Sequence, residues 1–330
     1  MTILYDSLPV IYGTGDILTD SKNDWRNTKL RNEAVAKSFE NENEKSMLGR
    51  FTRMMDCGAY LKFAVSPSGD KRLFSANFCR DRMCPGCQKR RSLVIFHQVK
   101  NICSSIQKDF PTYKYLLLTL TVPNVKADQL SDEIKHLHAS WKRMSDRAFF
   151  KKSIKGWFRA LEVTYNGERD DFHPHIHVLL CVPSGYFKKN YIKRDDWLRY
   201  WQEATRYPQI TQVDIRVVKP NPKRRDSTDI SAAAAEVGKY ATKPSNYVCK
   251  APDGNYYAVH QVVRDLAKGV ARKRLVAFGG ILKEYHLKLR QDDVESDSVD
   301  LIHVGDDVAS IDAVMVQVYR WNVGLSNYVC

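Results

Sequence analysis

The stretch Asp-Asp-Phe-His-Pro-His-Ile-His-Val-Leu-Leu at 170–180 puts three of the chain's nine histidines on alternate residues. Alternation is the period of a β-strand, so His173, His175 and His177 project from one face. Imidazole packs less well than Val and solvates less readily than Lys. The row is therefore either the polar outer face of a half-buried strand or a set of ligands for a divalent cation.

Four of the eight cysteines form a second set: Cys57, then Cys79, Cys84 and Cys87 in Cys-Arg-Asp-Arg-Met-Cys-Pro-Gly-Cys. In a cytosolic chain, thiols this close point to a metal site rather than to disulfides. Zinc takes four ligands tetrahedrally, with Cys57 as the natural fourth and His97 or a more distant thiol as the fallback. The isolated Cys103, Cys181, Cys249 and Cys330 read as small buried hydrophobes. Arg80, Arg82, Lys89, Arg90 and Arg91 surround the cluster and would offer phosphates a basic face. Equally, zinc could do no more than staple a small subdomain.

A third set lies in Thr-Asp-Ile-Ser-Ala-Ala-Ala-Ala-Glu-Val-Gly-Lys-Tyr-Ala-Thr-Lys-Pro-Ser (228–245), helical by its alanine run, with Asp229 or Ser231 as N-cap and Pro244 as stop. At 100° per residue, Glu236, Lys239, Tyr240 and Lys243 share one arc, opposite Ile230, Ala234, Val237 and Ala241. A phenol between ammonium groups suits attack on a phosphodiester, because cations favour the phenolate and bind phosphate oxygens. Taken alone, Glu236 and Tyr240 would equally be an ordinary surface pair.

Charge limits the partner. The 330 residues carry a net charge of +14, but residues 291–330 hold eight acids and one base, a net of −7, leaving +21 on the first 290. A basic body favours nucleic acid, since phosphate neutralisation drives such binding. The acidic stretch 291–312 reads as a linker or a brake on non-specific binding, followed by an alternating strand at 313–323 that returns to the sheet. The longest apolar run, at 115–122, is too short to span a bilayer. The N-terminus lacks the basic region of a signal peptide, so a cytoplasmic location is expected.

The three sets occur in the order of a known family. Leu-Leu-Leu-Thr-Leu-Thr-Val-Pro-Asn (116–124), His-Pro-His-Ile-His-Val-Leu-Leu (173–180) and Ala-Ala-Ala-Glu-Val-Gly-Lys-Tyr-Ala-Thr-Lys-Pro (233–244) resemble the motifs of the rolling-circle replication initiators of small Gram-positive bacterial plasmids, in the HUH endonuclease superfamily. The knuckle at 77–92 and the stretches 21–39 and 273–289 resemble it too. The resemblance implies an α+β fold, with a nuclease domain of flanking helices on a central antiparallel sheet and an N-terminal four-cysteine zinc-knuckle region. It implies residues 1–105 as basic segment and knuckle, 106–290 as nuclease domain and 291–330 as linker and strand.

It also implies that His175 and His177 hold Mn²⁺ or Mg²⁺ and that Zn²⁺ fills the knuckle. In Ala-Leu-Glu-Val-Thr-Tyr-Asn (160–166), Glu162 faces away from Leu161, Val163 and Tyr165 and becomes the third ligand if this strand pairs with the histidine strand. His173 is the alternative, with Pro174 expected to break the alternation beside it. Tyr240 would attack the phosphodiester, Lys243 and Lys239 would hold phosphate oxygens, and Glu236 would activate water for a final hydrolysis. The partner implied is the plasmid double-strand origin, as single strand or hairpin, with a host helicase and a second copy of the chain as further candidates. Lys223, Arg224 and Arg225 would clamp the strand. A zinc-containing DNA-binding regulator and a single-strand transposase are the competing readings.

Overall fold

The computed structural model describes residues 5–19, 23–41, 43–219, 230, 234–235, 238, 244–304 and 311–330. In chain order these form β1 (Val10–Ile11), α1 (Trp25–Ala36), α2 (Lys45–Asp56), β2 (Tyr60–Val65), β3 (Lys71–Ala76), α3 (Pro85–Asp109) and β4 (Lys114–Thr121). There follow α4 (Leu130–Ser145), α5 (Ala148–Ser153), β5 (Gly156–Asn166), β6 (Asp171–Val182), α6 (Tyr186–Lys189), α7 (Arg194–Thr205) and β7 (Asp214–Val217). The last are β8 (Val248–Lys250), β9 (Tyr256–Ala258), α8 (His260–Gly269), β10 (Val276–Gly280), α9 (Ile281–Lys288), β11 (Met315–Asn322) and β12 (Asn327–Val329). The class is mixed α+β, and the chain divides into two units.

The unit of residues 95–246 and 265–296 is built on an antiparallel sheet in the order β10-β5-β6-β4-β7. β5 and β6 form a hairpin closed by the pair Asn166↔Asp171. The Asn166 side chain accepts the backbone N–H groups of Glu168 and Arg169, and Asp170 adopts φ 51°, a left-handed conformation that Asp tolerates. This turn sets Glu162 directly opposite His175. A slip of one residue would send all three histidines to the other face.

That other face is apolar. Leu116, Leu118 and Leu120 of β4, Leu161 and Val163 of β5, and Ile176 and Val178 of β6 are all buried. α4 packs on β6 and α7, contributing Ile134, Leu137 and Trp141 to the core, and α7 adds Trp197 and Trp201. Trp201 also donates from Nε1 to the Thr121 carbonyl at 2.7 Å, tying the helix to the end of β4.

The unit of residues 1–94, 247–264 and 297–330 has a sheet in the order β1-β11-β2-β3, with β12 on β11. Its core packs Trp25, Leu61, Phe63, Leu73, Tyr319 and Tyr328. The alternating C-terminal stretch is indeed a strand, but β11 pairs with β2 from Met315↔Val65 to Arg320↔Tyr60, not with the histidine sheet. Tyr319 meets Phe63 edge-on at 6.0 Å, which gives this strand its buried partner. Residues 291–304 are not a bare linker either. Val294, Val299 and Leu301 are buried, and the Glu295 carboxylate accepts the N–H groups of Leu275 and Val276. Among the described residues no helix is long and apolar enough to cross a membrane.

Candidate functional site

Three side chains from the β5–β6 hairpin converge. The Nε2 atom of His177 lies 2.9 Å from Oε2 of Glu162, and that of His175 lies 3.5 Å from the same oxygen. One ligand atom from each falls within 4.8 Å of the others. Glu162 is 2% exposed and His175 9%, so the carboxylate sits in a low-dielectric place where an unpaired negative charge is costly.

Each imidazole is held by its other nitrogen. Nδ1 of His177 faces the Thr119 hydroxyl at 3.1 Å, and Nδ1 of His175 faces the His173 carbonyl at 3.2 Å. A carbonyl only accepts, so Nδ1 of His175 carries the hydrogen and, in the neutral ring, Nε2 presents a lone pair toward the carboxylate. A lone pair facing a carboxylate is repulsive until a proton or a metal ion lies between them. Two imidazoles and one carboxylate form a donor set suited to a divalent first-row cation, with Nδ1 anchoring of the usual kind.

The third histidine stands apart. Its ring lies 5.2 Å from that of His175 but lends no atom to the three-residue group. Burial, and then the neighbouring His175, lower its pKa below the usual histidine range. Pro174 does not break the alternation. The β4 ladder ends at Thr121↔His175, so the absent N–H falls beyond it.

The Thr-Val-Pro-Asn turn has a visible task as well. Val125 and Phe172 exchange backbone hydrogen bonds of 2.9 and 2.8 Å, and Asn124 donates to Asp171 at 2.8 Å. The turn thereby fixes the start of β6. The motif by itself assigns no role to Thr119 or Asn124. The signal for Thr119 is the period of β4, which puts Thr119 and Thr121 opposite His177 and His175.

The cysteines converge in the other unit. Sulfur separations are 3.5 Å for Cys57–Cys84 and 3.7 Å for both Cys57–Cys87 and Cys79–Cys87. A tetrahedron with zinc–sulfur bonds of ~2.3 Å has edges of about 3.8 Å, so the four thiols fit that ion. Backbone N–H groups of Cys79 and Arg80 donate to Cys57 and Cys87 at 3.3 and 3.2 Å. Hydrogen bonds from Cys79, Cys84 and Cys87 hold the Cys57 thiol well below the ordinary range. His97 is not part of the group.

The basic residues around the knuckle divide. Lys89 is exposed, and Arg80 and Arg82 are half-buried. Arg90 and Arg91 are 3% and 2% exposed, which corrects their reading as phosphate contacts. Arg90 donates to the carbonyls of Leu301 (2.7 Å) and Ile302, and Arg91 to that of Arg80 (2.7 Å). Their charge is used to satisfy main-chain acceptors inside the protein. Glu236, Lys239, Tyr240, Lys243, Lys223, Arg224 and Arg225 lie outside the described residues.

Comparison with known proteins first gives the class. Residues 70–329 match the Rep_1 family, described as replication protein. A Protein rep of Streptococcus pneumoniae serotype 2 is 34% identical over 92% of this chain and 91% of its own length. A Protein rep of Bacillus amyloliquefaciens is 34% identical, with 94% and 95% covered. A Replication protein of Staphylococcus aureus is 32% identical over 70% of this chain and 96% of its own. No solved structure matches. The chain belongs to this replication protein family, in agreement with its motif resemblance to plasmid replication initiators.

Proposed function

We propose that the chain starts rolling-circle replication by nicking one strand of the plasmid origin in an HUH-type nuclease site. The observation that carries the reading is the convergence of Glu162, His175 and His177 on one sheet face in a chain of the replication protein family. A bound Mn²⁺ or Mg²⁺ would polarise the scissile phosphate. Glu162, His175 and His177 would hold that ion, with Thr119 and the His173 carbonyl fixing the two rings. Tyr240 is the nucleophile: its Oη forms a bond to phosphorus, the bond from phosphorus to O3′ breaks, and the phenolic proton ends on O3′. The products are a 5′-phosphotyrosine and a free 3′-OH. Lys243 and Lys239 hold phosphate oxygens. When the regenerated origin is cut again, Glu236 takes a proton from water for hydrolytic release.

In the other unit, Cys57, Cys79, Cys84 and Cys87 hold Zn²⁺, which cross-links the end of α2 to the start of α3. Family membership favours replication over a regulator or a transposase. The test is incubation of the protein with single-stranded origin DNA and Mn²⁺, followed by mass spectrometry. Wild type should give a peptide adduct at Tyr240 and Tyr240→Phe none. An undiminished adduct in that variant would reassign the nucleophile.

A further inference from the structure

Beyond β6 the chain makes a short excursion, 186–194, that the nicking site does not use. Tyr186 and Ile192 anchor it in the core, and Phe187 and Tyr191 stand out, 41% and 59% exposed. The Phe187 and Tyr191 rings are inclined by only 30°, with centroids 6.5 Å apart. That is close to twice the ~3.5 Å contact distance of stacked carbon atoms. The fully buried Tyr186 ring is steeply inclined to both, by 89° and 69°, at 5.2 and 5.7 Å.

Within the excursion itself every charge is positive. Residues 186–194 include Lys188, Lys189, Lys193 and Arg194, all exposed, and no acid. The acids that follow open α7, where Asp196 pairs with Arg199 at 2.8 Å. Both rings pack on Tyr186 yet keep much of their area in water, where it is free to meet a flat ligand. Aromatic faces set among cations are the means by which proteins hold single-stranded nucleic acid, one base per stacking platform.

We propose that Phe187 and Tyr191 form a slot that stacks one base of single-stranded DNA, with Lys188, Lys189 and Lys193 against its flanking phosphates. The proposal rests on the nicking function and adds to it a grip on the strand away from the scissile phosphate. The slot follows Val182, which lies about 17 Å along β6 from His177. The held base would therefore be a few nucleotides from the cut and fix the register of the strand in the site.

Binding of a fluorescein-labelled oligothymidylate, measured by anisotropy with no Mn²⁺ or Mg²⁺ added, tests the slot without using the catalytic metal site. Tyr191→Ala and Phe187→Ala should each weaken binding by roughly five- to 150-fold, the range seen when a base-stacking aromatic becomes alanine. Tyr191→Phe should bind as wild type. All three should bind duplex DNA as wild type does, and 2-aminopurine in the single strand should lose its quenching only in the alanine variants. Unchanged single-strand affinity in both alanine variants, or an equal loss on duplex, would overturn the slot. Failure of wild type to nick with Mn²⁺, with Tyr191-dependent binding intact, would instead overturn the nuclease reading alone.

Discussion

Thr119→Val tests the site through a residue outside the Glu162–His175–His177 group. Valine keeps the β-branched shape on β4 opposite His177 and removes only the hydroxyl 3.1 Å from Nδ1. A neutral hydrogen bond at a partly exposed position is worth ~1 kcal/mol, about fivefold in affinity. The second loss is of tautomer selection. With no acceptor at Nδ1, the His177 hydrogen can reside on Nε2, where it donates to Glu162 2.9 Å away and blocks the metal. Outer-shell partners of ligating histidines together contribute roughly 10- to 100-fold. Thr119→Val should therefore weaken Mn²⁺ binding, followed by calorimetry or electron paramagnetic resonance, by roughly tenfold. Thr119→Ser should restore it, and the melting temperature of either variant should stay near that of wild type. His175 provides an internal contrast, since its anchor is a main-chain carbonyl that substitution at 119 leaves in place. Wild-type Mn²⁺ affinity in Thr119→Val would refute the reasoning, and so would a loss that Thr119→Ser failed to rescue.

Glu162→Gln keeps the shape of the central ligand without its charge, and should reduce Mn²⁺ affinity by more than the ~100-fold upper end for an outer-shell partner; retention of tight binding would move the ligand role to His173. Cys84→Ser, or a chelator that strips zinc, should lower the melting temperature by roughly 10 °C or more, read by calorimetry alongside zinc release; an unshifted transition would exclude a structural ion. Burial, with Arg159 and Lys273 nearby, pushes His138 of α4 down to about 3 from an unfolded value of 6.5. Between those values the unfolded chain takes up a proton that the folded chain refuses, so stability falls as pH drops through this window, by up to ~1.4 kcal/mol per unit. His138→Gln should flatten that slope in urea titrations, and an identical slope would locate the acid sensitivity elsewhere. Arg90→Met should destabilise the fold by about 2 kcal/mol and leave the salt dependence of DNA binding unchanged. The exposed Lys89→Ala should do the reverse, lowering the salt slope by about 1; a changed slope in Arg90→Met would restore that arginine to the DNA surface.

The face that carries Glu162, His175 and His177 was legible because it depends on two local rules. Period-two alternation put His175 and His177 on one side, and a hairpin with a short turn put Glu162 opposite them. Thr119 followed the same rule across β4 but drew no attention, because a threonine in a strand is unremarkable until the strand opposite it has been placed. Pro174 misled for a related reason. Whether a proline interrupts a strand depends on whether the next strand still needs its N–H, and the β4 ladder had already ended. Long-range pairing was beyond such rules. Alternation marked 313–323 as a strand, observed at Met315–Asn322, but its partner is β2, more than 200 residues earlier, chosen because Tyr319 completes the core around Phe63. Charge was the least informative signal. Lys89, Arg90 and Arg91 are consecutive cations at the start of α3, and the sequence offers no way to rank them. The carbonyls of Leu301 and Ile302, brought beside α3 by the C-terminal segment, together with the Trp25 and Phe78 rings, make burial of Arg90 favourable, since a guanidinium leaves water where acceptors and aromatic faces replace it. A helical turn does not place all its side chains in water, so a run of cations beside a helix start must divide between the surface and the interior.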